Sequence, residues 1–347
     1  MKKRRLTDRN PLLTSSYDYE LPEELVAAFP VSPREHAKLL VYNRKDRSIT
    51  HTRFDKIDDF LPENCAIIFN DTKVIKARLY GHKESGGAIE LLINRPLDAY
   101  RINVYVRGRV KEGTKLLFDR DLVAVVVKLH DDGSRDVEFS LNEQRLRFEE
   151  LLPLLDEIGH IPLPPYLGRE DNSEDEREYQ SVFARREGAV AAPTASLHFS
   201  DELFSAVCAH HPHAFVTLHV GSGTFKPVEA EIITEHPMHS EYFHIGDEAY
   251  DLIHGGLPLL CVGTTSTRTV EYHVRTLERE GEANLFLYPH NPPKRVDYLL
   301  TNFHLPQSTL LMLVASFVGL EETHRIYAEA IDQKYRFFSY GDAMLIL

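Results

Sequence analysis

The residues best suited to chemistry gather in five segments of the C-terminal half of the chain. Histidine, hydroxyl side chains and small residues recur across these segments, as in Phe-Val-Thr-Leu-His-Val-Gly-Ser-Gly-Thr-Phe at residues 215–225. The other four are residues 191–199, 236–241, 261–268 and 300–304. A strand that serves only packing does not end in this way. Because open α/β sheets bind ligands at the carboxyl ends of their strands, we expect these segments to form one binding site.

Four histidines in these segments are candidates for proton transfer: His198, His219, His239 and His304. A neutral imidazole is a natural general acid or base near pH 7. We expect one or two of the four to move protons, and the others to orient a ligand or bond to backbone carbonyls. The pattern does not decide which histidine has which task.

Two glycines, Gly221 and Gly223, follow the first of these strands and precede Thr224. The turn has neither the Gly-x-Gly-x-x-Gly spacing of a dinucleotide site nor the lysine of a phosphate loop. Its backbone N–H groups could instead hold a carboxylate or a ribose. A tight turn without a ligand is the alternative.

The sequence Gly-Thr-Thr-Ser-Thr-Arg at residues 263–268 follows a predicted strand and opens a predicted helix. It offers amides and hydroxyls to an anion or a ribose. One hydroxyl would suffice as a helix cap, so the additional hydroxyls and Arg268 favour a ligand. Glu271, one turn onward, is a candidate acceptor for the N–H edge of a guanine-like base. An exposed helical glutamate is the commoner alternative.

A metal site is a further possibility, since His236, His239 and Glu241 are residue types that bind zinc or iron. Pro237 argues against a helical pair of ligands, and the His-Glu-x-x-His motif of zinc proteases is absent from the sequence. A metal-dependent hydrolase that uses these three residues is therefore the competing enzyme class, although we expect no metal.

Composition indicates a globular protein of 347 residues, with 43% hydrophobic and 27% charged residues. The three cysteines, Cys65, Cys208 and Cys261, are widely separated and indicate neither a disulfide framework nor a cysteine zinc site. No apolar run is long enough to cross a bilayer, and no secretory signal is recognisable, so we expect a cytoplasmic protein. The net charge of −13 argues against indiscriminate coating of nucleic acid. A local basic face remains possible within residues 73–109, with a solvated strand surface as the alternative.

The order of strand and helix patterns predicts an α/β fold: a large α/β domain with an inserted small antiparallel β-barrel. We assign residues 1–16 to a basic, disordered tail, residues 17–64 and 151–347 to the α/β domain, and residues 65–150 to the barrel. Closely spaced short strands favour the barrel. They are residues 66–69, 74–80, 88–93, 102–106, 115–118, 122–129 and 136–139. A helix over 146–158 follows, ending at Gly159.

Strand and helix patterns alternate in the remainder of the chain, as expected for an α/β domain. Residues 200–202 mark a helix start, and a further helix is predicted over 266–280. The predicted strands are residues 38–42 near the start of the chain and then 214–220, 241–245, 259–262, 285–288 and 296–300.

Further motifs connect these segments over almost the whole chain. They are Tyr-Asp-Tyr-Glu-Leu-Pro at 17–22, Phe-Asn-Asp-Thr-Lys-Val-Ile-Lys-Ala-Arg-Leu at 69–79, Ile-Pro-Leu-Pro-Pro-Tyr at 161–166 and Tyr-Arg-Phe-Phe-Ser-Tyr-Gly-Asp-Ala-Met at 335–344. Together with the five segments above, they resemble the S-adenosylmethionine:tRNA ribosyltransferase-isomerases of queuosine biosynthesis.

The resemblance implies an α/β domain with an inserted barrel, and it implies a reaction. The ribosyl part of S-adenosylmethionine would be transferred to 7-aminomethyl-7-deazaguanine at the wobble position of tRNA and isomerised, giving epoxyqueuosine, adenine and methionine. S-adenosylmethionine would be consumed as a substrate, so we expect no cofactor. The expected partners are S-adenosylmethionine and tRNA carrying that base, with no membrane, and we expect a monomer.

The resemblance also implies the site residues. His219 or His304 would remove a proton beside the sulfonium, while His198, Thr264 and Arg268 would supply donors to the departing adenine and the opened ribose. An aromatic face or a carboxylate would suit the sulfonium, for which Phe225, Tyr340 and Asp342 are available. The expected substrate-binding residues are Asp71, Arg78, Thr194, Gly221, Gly223, Thr224, His239, Gly263, Thr265, Arg268, Glu271, Tyr340 and Asp342.

Two stretches depart from the family pattern. Pro-His-Asn-Pro-Pro-Lys-Arg at 289–295 replaces a run of glycine, an aromatic residue and phenylalanine, and Arg-Gly-Arg-Val at 107–110 replaces a basic run containing Pro-Gly. These departures put the contacts of the first loop and the path of tRNA across the barrel in question. An RNA-binding module without catalysis is the third alternative.

Overall fold

The computed structural model of the chain describes residues 9–221, 223 and 228–347. In chain order its strands are β1 (Lys38–Asn43), β2 (Ser48–Arg53), β3 (Ala66–Asn70), β4 (Thr72–Val74), β5 (Arg78–Lys83), β6 (Ala88–Pro96), β7 (Arg101–Arg107), β8 (Lys115–Leu117), β9 (Leu122–Leu129), β10 (Ser134–Leu141), β11 (Gln144–Arg145), β12 (Arg186–Ala189), β13 (His213–Leu218), β14 (Glu241–Ile245), β15 (Leu259–Val262), β16 (Glu280–Ala283), β17 (Tyr298–Asn302) and β18 (Ala343–Ile346). Its α-helices are α1 (Phe148–Ile158), α2 (Asp175–Glu178), α3 (Asp201–His210), α4 (Asp247–His254), α5 (Gly263–Thr276), α6 (Thr309–Val318) and α7 (Leu320–Asp332).

A mixed nine-stranded sheet forms the frame of the large domain, in the order β16, β14, β13, β3, β15, β17, β18, β1, β2. Its central strands β13, β3, β15 and β17 are parallel neighbours. Every residue of β3 and β15 is buried. Continuous apolar runs are typical of parallel strands that are covered on both faces. The carboxyl ends of four parallel strands therefore lie at one edge of the sheet.

The inserted domain is a closed antiparallel barrel of the six strands β5 to β10. Neighbours pair from β10 through β7, β6, β5 and β8 to β9, and β10 also pairs with β9, which closes the barrel. Alternate side chains along β6 and β9 fill its interior, and Leu151 and Leu155 of α1 join the same apolar core. The predicted fold class, an α/β domain with an inserted β-barrel, is confirmed.

Several predicted elements differ from those observed. Residues 66–69 were assigned to the barrel, but β3 pairs with β13 and β15 at the centre of the large sheet. The predicted strand 74–80 is divided between β4 and β5, and the strands that pair as a barrel begin at Arg78. The predicted strand 285–288 is wrong: Leu287 is buried in the core beside α6, whereas the edge strand β16 lies earlier in the chain. Apolar side chains can be buried without their backbone joining a sheet.

The start of the chain is more closely packed than predicted. Residues 9–16 belong to the segment that we assigned to a disordered tail, but Leu13 forms a β-bridge with Ile232 and Thr14 is buried. Arg9 contacts His324 of α7. The basic residues Lys2 to Arg5 lie outside the described residues. Among the residues that the structure describes, none of the helices combines the length and the apolar composition that a membrane span requires.

Candidate active site

Asn70, the last residue of β3, connects the ends of the central strands. Its Oδ1 accepts the backbone N–H of Leu218 at 3.0 Å, while its Nδ2 donates to the carbonyl of Leu218 at 3.0 Å and to Thr265 Oγ1 at 3.1 Å. The amide is fully buried. One side chain thus joins β3, β13 and the start of α5, which fixes the spacing of the strand ends that carry the polar residues.

A small pocket of about 70 Å³ opens at this edge. It brings together four of the segments identified in the sequence, because β13, β15, β17 and the turn at 194–198 all end there. Five of the predicted site residues line it: Thr194, Gly263, Thr264, Thr265 and His304. Hydroxyls and one imidazole therefore face a narrow space beside the backbone of Val220.

A larger cavity of about 680 Å³ lies between the barrel and the large sheet. Its sheet side includes His219, Gly221, Gly223, His239 and Glu241, and its barrel side includes residues from β6, β7 and the turn between β9 and β10. The volume of this cavity is within the range found for pockets that bind small molecules. Val220 lines the small pocket whereas its neighbours His219 and Gly221 line the cavity, so the two spaces adjoin along this stretch of the chain.

His219 is held on several sides at the wall of the larger cavity. Its Nδ1 lies 2.7 Å from Thr72 Oγ1, and its ring stacks on Tyr242 with centroids 5.5 Å apart. The ring also lies against the backbone of Gly188, since a Cβ there would be 2.8 Å from Nε2. Burial, with a smaller contribution from the charge of Arg186, lowers the pKa of His219 to about 4. The imidazole is therefore neutral at pH 7.

Glu241 and Arg268 form a buried ion pair beside the cavity. Glu241 Oε1 accepts the backbone N–H of Gly221 at 3.0 Å, and Arg268 Nε donates to the carbonyl of Leu285 at 3.2 Å. The pair therefore holds the turn after β13. We predicted Arg268 as a donor to the substrate, but its guanidinium is engaged with Glu241 and with backbone carbonyls. Its position favours a structural role.

The hydroxyls at the start of α5 divide into two groups. Ser266, Thr267 and Thr269 donate to backbone carbonyls one turn earlier, at 2.8 to 3.0 Å. Such bonds within the helix are common for serine and threonine. Thr264 and Thr265 are left at the pocket wall. The excess of hydroxyls over what a helix cap needs therefore has two explanations, and only one involves the pocket.

Two of the four histidine candidates are deeply buried near β17. His198 receives a hydrogen bond from Asn302 Nδ2 at 3.3 Å, packs against Phe54, and is not among the described residues that line either space. This position does not fit its predicted role as a donor to adenine. The ring of His304 lies 2.8 Å from Thr301 Oγ1 and does reach the small pocket. Burial lowers the pKa of both to about 3.

His239 lies directly over Gly223. A Cβ at Gly223 would be 2.5 Å from His239 Cδ2, so this glycine permits the close approach of an imidazole. We had expected the glycines to admit a substrate. Thr224 and Phe225, which belong to the same predicted turn, lie outside the described residues.

Five further predicted contacts are buried away from the cavities or engaged elsewhere. Tyr340 donates to Asp175 at 2.7 Å, and Asp342 accepts the backbone N–H groups of Lys38 and Arg336. Asp71 accepts the hydroxyl of Thr217 at 2.6 Å. In each case the side chain ties two segments together, which explains its polarity without a substrate.

The remaining two are Arg78 and Glu271. Arg78 donates to the carbonyl of Leu163 at 3.1 Å and pairs with Glu90. Glu271, predicted to bind a guanine-like base, is fully buried and accepts the backbone N–H groups of residues 294–296. It thereby fixes the loop that departs from the family pattern.

The proposed metal ligands do not gather. Among the described residues no group of three or more histidine, cysteine, aspartate or glutamate side chains is arranged to hold an ion. Glu241 is paired with Arg268, and the rings of His236 and His239 lie 6.3 Å apart. The geometry does not favour the metal-dependent hydrolase.

Several residues of the site were missed from the sequence. Asn70 and Thr72 flank Asp71, which we selected instead, although all three follow the same apolar strand. The polar barrel residues Asn94, Asn103, His130 and Asp136 line the larger cavity. Their only sequence signal is a polar side chain at alternate positions of short strands, which also describes a solvated barrel surface.

Comparison with known proteins identifies the family. A family model described as "Queuosine biosynthesis protein" matches residues 14–346. A Sulfurimonas denitrificans protein named S-adenosylmethionine:tRNA ribosyltransferase-isomerase is 63% identical over 337 residues, which covers 97% of this chain and 98% of the relative. A Campylobacter jejuni protein of the same name is 55% identical over 339 residues, covering 97% of this chain and 99% of the relative.

A solved structure extends this comparison to the fold. The crystal structure of S-adenosylmethionine tRNA ribosyltransferase from Thermotoga maritima is 34% identical, with a TM-score of 0.53, and the match covers 96% of this chain and 100% of that one. Sequence and fold agree over nearly the full length. The chain therefore belongs to the S-adenosylmethionine:tRNA ribosyltransferase-isomerase family of queuosine biosynthesis.

Proposed function

We propose that the cavity between barrel and sheet is where this enzyme transfers and isomerises the ribosyl group of S-adenosylmethionine. The acceptor is 7-aminomethyl-7-deazaguanine at the wobble position of tRNA, and the products are epoxyqueuosine in tRNA, adenine and methionine. The observation that carries this placement is the neutral, firmly held His219 at the wall of a cavity large enough for a nucleoside.

The chemistry requires a base beside the sulfonium. A sulfonium acidifies the adjoining ribose carbon, and a neutral imidazole within reach can accept that proton. The contacts of His219 with Thr72, Tyr242 and Gly188 limit its movement. Proton transfer benefits from such positioning, because the base is already oriented when the substrate arrives.

The small pocket supplies hydrogen-bond donors. Thr264 and Thr265 are held at its wall by the start of α5 and by Asn70. We assign them to oxygen atoms of the opening ribose, where donors stabilise developing negative charge. His304 at the same pocket is a second candidate for the base, since burial also keeps it neutral at pH 7.

The experiment combines purified protein, S-adenosylmethionine and tRNA carrying the aminomethyl base. We expect release of adenine and methionine together with epoxyqueuosine in the digested tRNA, measured by mass spectrometry. Matched tRNA with guanine at the wobble position should give no epoxyqueuosine. Binding of tRNA without product would indicate the RNA-binding module, and hydrolysis of S-adenosylmethionine without transfer would overturn the proposal.

A further inference from the structure

The barrel side of the larger cavity carries a hydrogen-bonded array centred on Asp136. Its Oδ1 accepts from Asn103 Nδ2 at 3.1 Å and lies 2.8 Å from His130 Nε2. Asn103 Oδ1 in turn accepts from Asn94 Nδ2 at 2.9 Å. Asp136 and Asn103 are directly opposite on β10 and β7, and their exposed fractions are only 3% and 8%. All four side chains line the cavity that contains His219.

The contact with Asp136 selects the tautomer of the neutral His130 ring. An ionised carboxylate only accepts hydrogen bonds, so Nε2 must carry the proton in the neutral imidazole, which leaves the lone pair on Nδ1. The His130 side chain is 30% exposed, whereas that of Asp136 is 4% exposed. A carboxylate that orients an imidazole in this way is a recurring arrangement for proton transfer.

Charge in the cavity favours a cation. Among its described lining residues, six carboxylates accompany a single arginine. The charged groups among the described residues that line the cavity together with His130 are Asp131 and Asp132 on its own turn, Asp136 on β10, Arg95 on β6, and Glu187, Glu241 and Glu282 on the sheet side. Arg95, Glu187 and Glu241 have ion-pair partners in Glu282, Lys73 and Arg268.

The proposed reaction supplies a cation that must lose a proton. The aminomethyl group of the acceptor base is a primary alkyl amine, which resembles the lysine side chain and is mainly protonated at pH 7. An ammonium has no lone pair, so it cannot form a C–N bond with the ribosyl carbon until one N–H proton has left. His219, the proposed base beside the sulfonium, lies on the sheet side of the cavity and accepts a different proton.

We propose that His130, positioned by Asp136, binds the ammonium of the aminomethyl base and takes its proton. One N–H bond of the ammonium breaks, the proton moves to His130 Nδ1, and the electron pair of the broken bond stays on the nitrogen as the lone pair of the free amine. Asp136 is a positioning residue, because it acts through the imidazole. The inference rests on the proposed function, since it assigns the second wall of the same cavity to the nucleophile.

The test is the pH dependence of kcat for His130→Gln, with saturating S-adenosylmethionine and aminomethyl tRNA, between pH 6.5 and 9. We expect kcat about 10²-fold below wild type at pH 7, the loss typical of a general base. It should rise about tenfold per pH unit, because the fraction of free amine rises tenfold. His82→Gln changes an exposed histidine of the same barrel away from the cavity, and it should follow wild type.

Asp136→Asn tests the positioning role. It should lower kcat about tenfold and leave KM for S-adenosylmethionine unchanged, because the amide can no longer fix the tautomer of His130. Unfolding curves of both variants show whether either substitution causes a folding defect.

A His130→Gln deficit in kcat that does not diminish at high pH would overturn the inference. A higher KM for S-adenosylmethionine at normal kcat in either variant would also overturn it. That result would show that His130 and Asp136 bind the ammonium group of the methionine part of S-adenosylmethionine. If wild type itself makes no epoxyqueuosine, the proposed function fails instead.

Discussion

At the scale of single residues, histidines that look alike in the sequence acquire different tasks from their surroundings. His198 is enclosed by Phe54 and Asn302, whereas His219 and His304 reach a cavity wall. Burial lowers the pKa of all three, because it disfavours the charged imidazolium. Access to a cavity distinguishes them, and no local pattern encodes access.

His219→Gln should reduce product formation by about 10²-fold or more, because an amide cannot accept the proton beside the sulfonium. Thr72→Val should cost less, about tenfold, since it removes only the partner of Nδ1 and leaves the ring in place. Initial rates of adenine release at saturating substrates measure both. A correctly folded His219→Gln enzyme with near-normal rates would transfer the role to His304.

The pH dependence of the same variants has a defined sign. Because the pKa of His219 is about 4, its lone pair stays available as the pH falls from 7 to about 5 and is lost only as the pH approaches 4. The contribution of this base to kcat/KM should therefore be flat over that range. A fall centred near pH 6.5 would show an imidazole with its ordinary pKa at work.

At the scale of elements, a two-stranded ribbon holds the candidate base. β4 supplies Thr72 to one nitrogen of His219, and β12 places Gly188 against the ring where the pairing of the two strands is irregular. Tyr242 of β14 covers another side of the ring. This ribbon was not predicted from the sequence. Each of its strands is short, and β4 and β12 are more than a hundred residues apart in the chain.

Gly188→Ala should displace His219 and lower kcat at least tenfold. A methyl group would be 2.8 Å from Nε2, and the φ of +145° at this position is strained for any residue with a Cβ. Gly256→Ala is the matched control, because a Cβ there has open space. Rates and thermal unfolding measured together separate displacement of the ring from general loss of stability. Equal rates in the two variants would contradict this account of the ribbon.

Two helix boundaries were predictable from local signals, whereas the helix predicted over 266–280 begins at Gly263 and ends at Thr276. α1 ends before Gly159 as expected, and α3 begins after Ser200, whose hydroxyl accepts the backbone N–H of Leu203. These caps act within one turn of the chain. The wrong strand at 285–288 illustrates the opposite case. Its apolar residues pack against the core around Leu287, and only the neighbouring elements decide that no strand pairs there.

At the scale of the whole molecule, the barrel and the sheet enclose the larger cavity together. We predicted that Arg78 binds substrate, but its contacts with Leu163 and Glu90 make it part of the junction. Arg107 is a better residue with which to test tRNA binding, because its side chain is 88% exposed and lies two residues along β7 from Tyr105 at the cavity wall.

The expected monomer stays a prediction that light scattering would test.

Arg107→Glu should weaken tRNA binding and reduce the salt dependence of the affinity by about 0.7 to 0.9 in the log–log slope, as expected when one phosphate contact is lost. Arg47→Glu is the matched control. It makes the same charge change at a 73% exposed arginine with an ion pair of the same 3.8 Å length, at the far edge of the sheet. Identical slopes for the two variants would place the tRNA on another face.

Buried neutral histidines also predict acid sensitivity. The folded pKa values of His198, His219 and His304 are about 3, 4 and 3, far below the ordinary 6.5. Below pH 6.5 the unfolded chain therefore binds protons that the folded chain does not, so stability is complete above this pH and falls as the pH decreases. Each histidine contributes up to about 1.4 kcal/mol per pH unit.

Urea unfolding between pH 7.5 and 5 measures this effect. His304→Gln removes one of the titrating groups, so the dependence of its unfolding free energy on pH should be shallower by about one proton. An unfolding free energy that is independent of pH in the wild type over this range would show that these rings are not buried and neutral in solution.

The sequence by itself determined the family, the barrel inserted in an α/β fold, and the segments where polar residues follow strands. These features depend on residue types within a few positions of one another, such as the hydroxyls after β15 and the cap at Ser200. Only the tertiary structure decided that β3 lies at the centre of the sheet, that Arg268 binds Glu241, and that Asp136 faces the cavity of His219. Partners such as Thr72 and His219 are 147 positions apart, and their contact is fixed by strand order and packing across the whole fold.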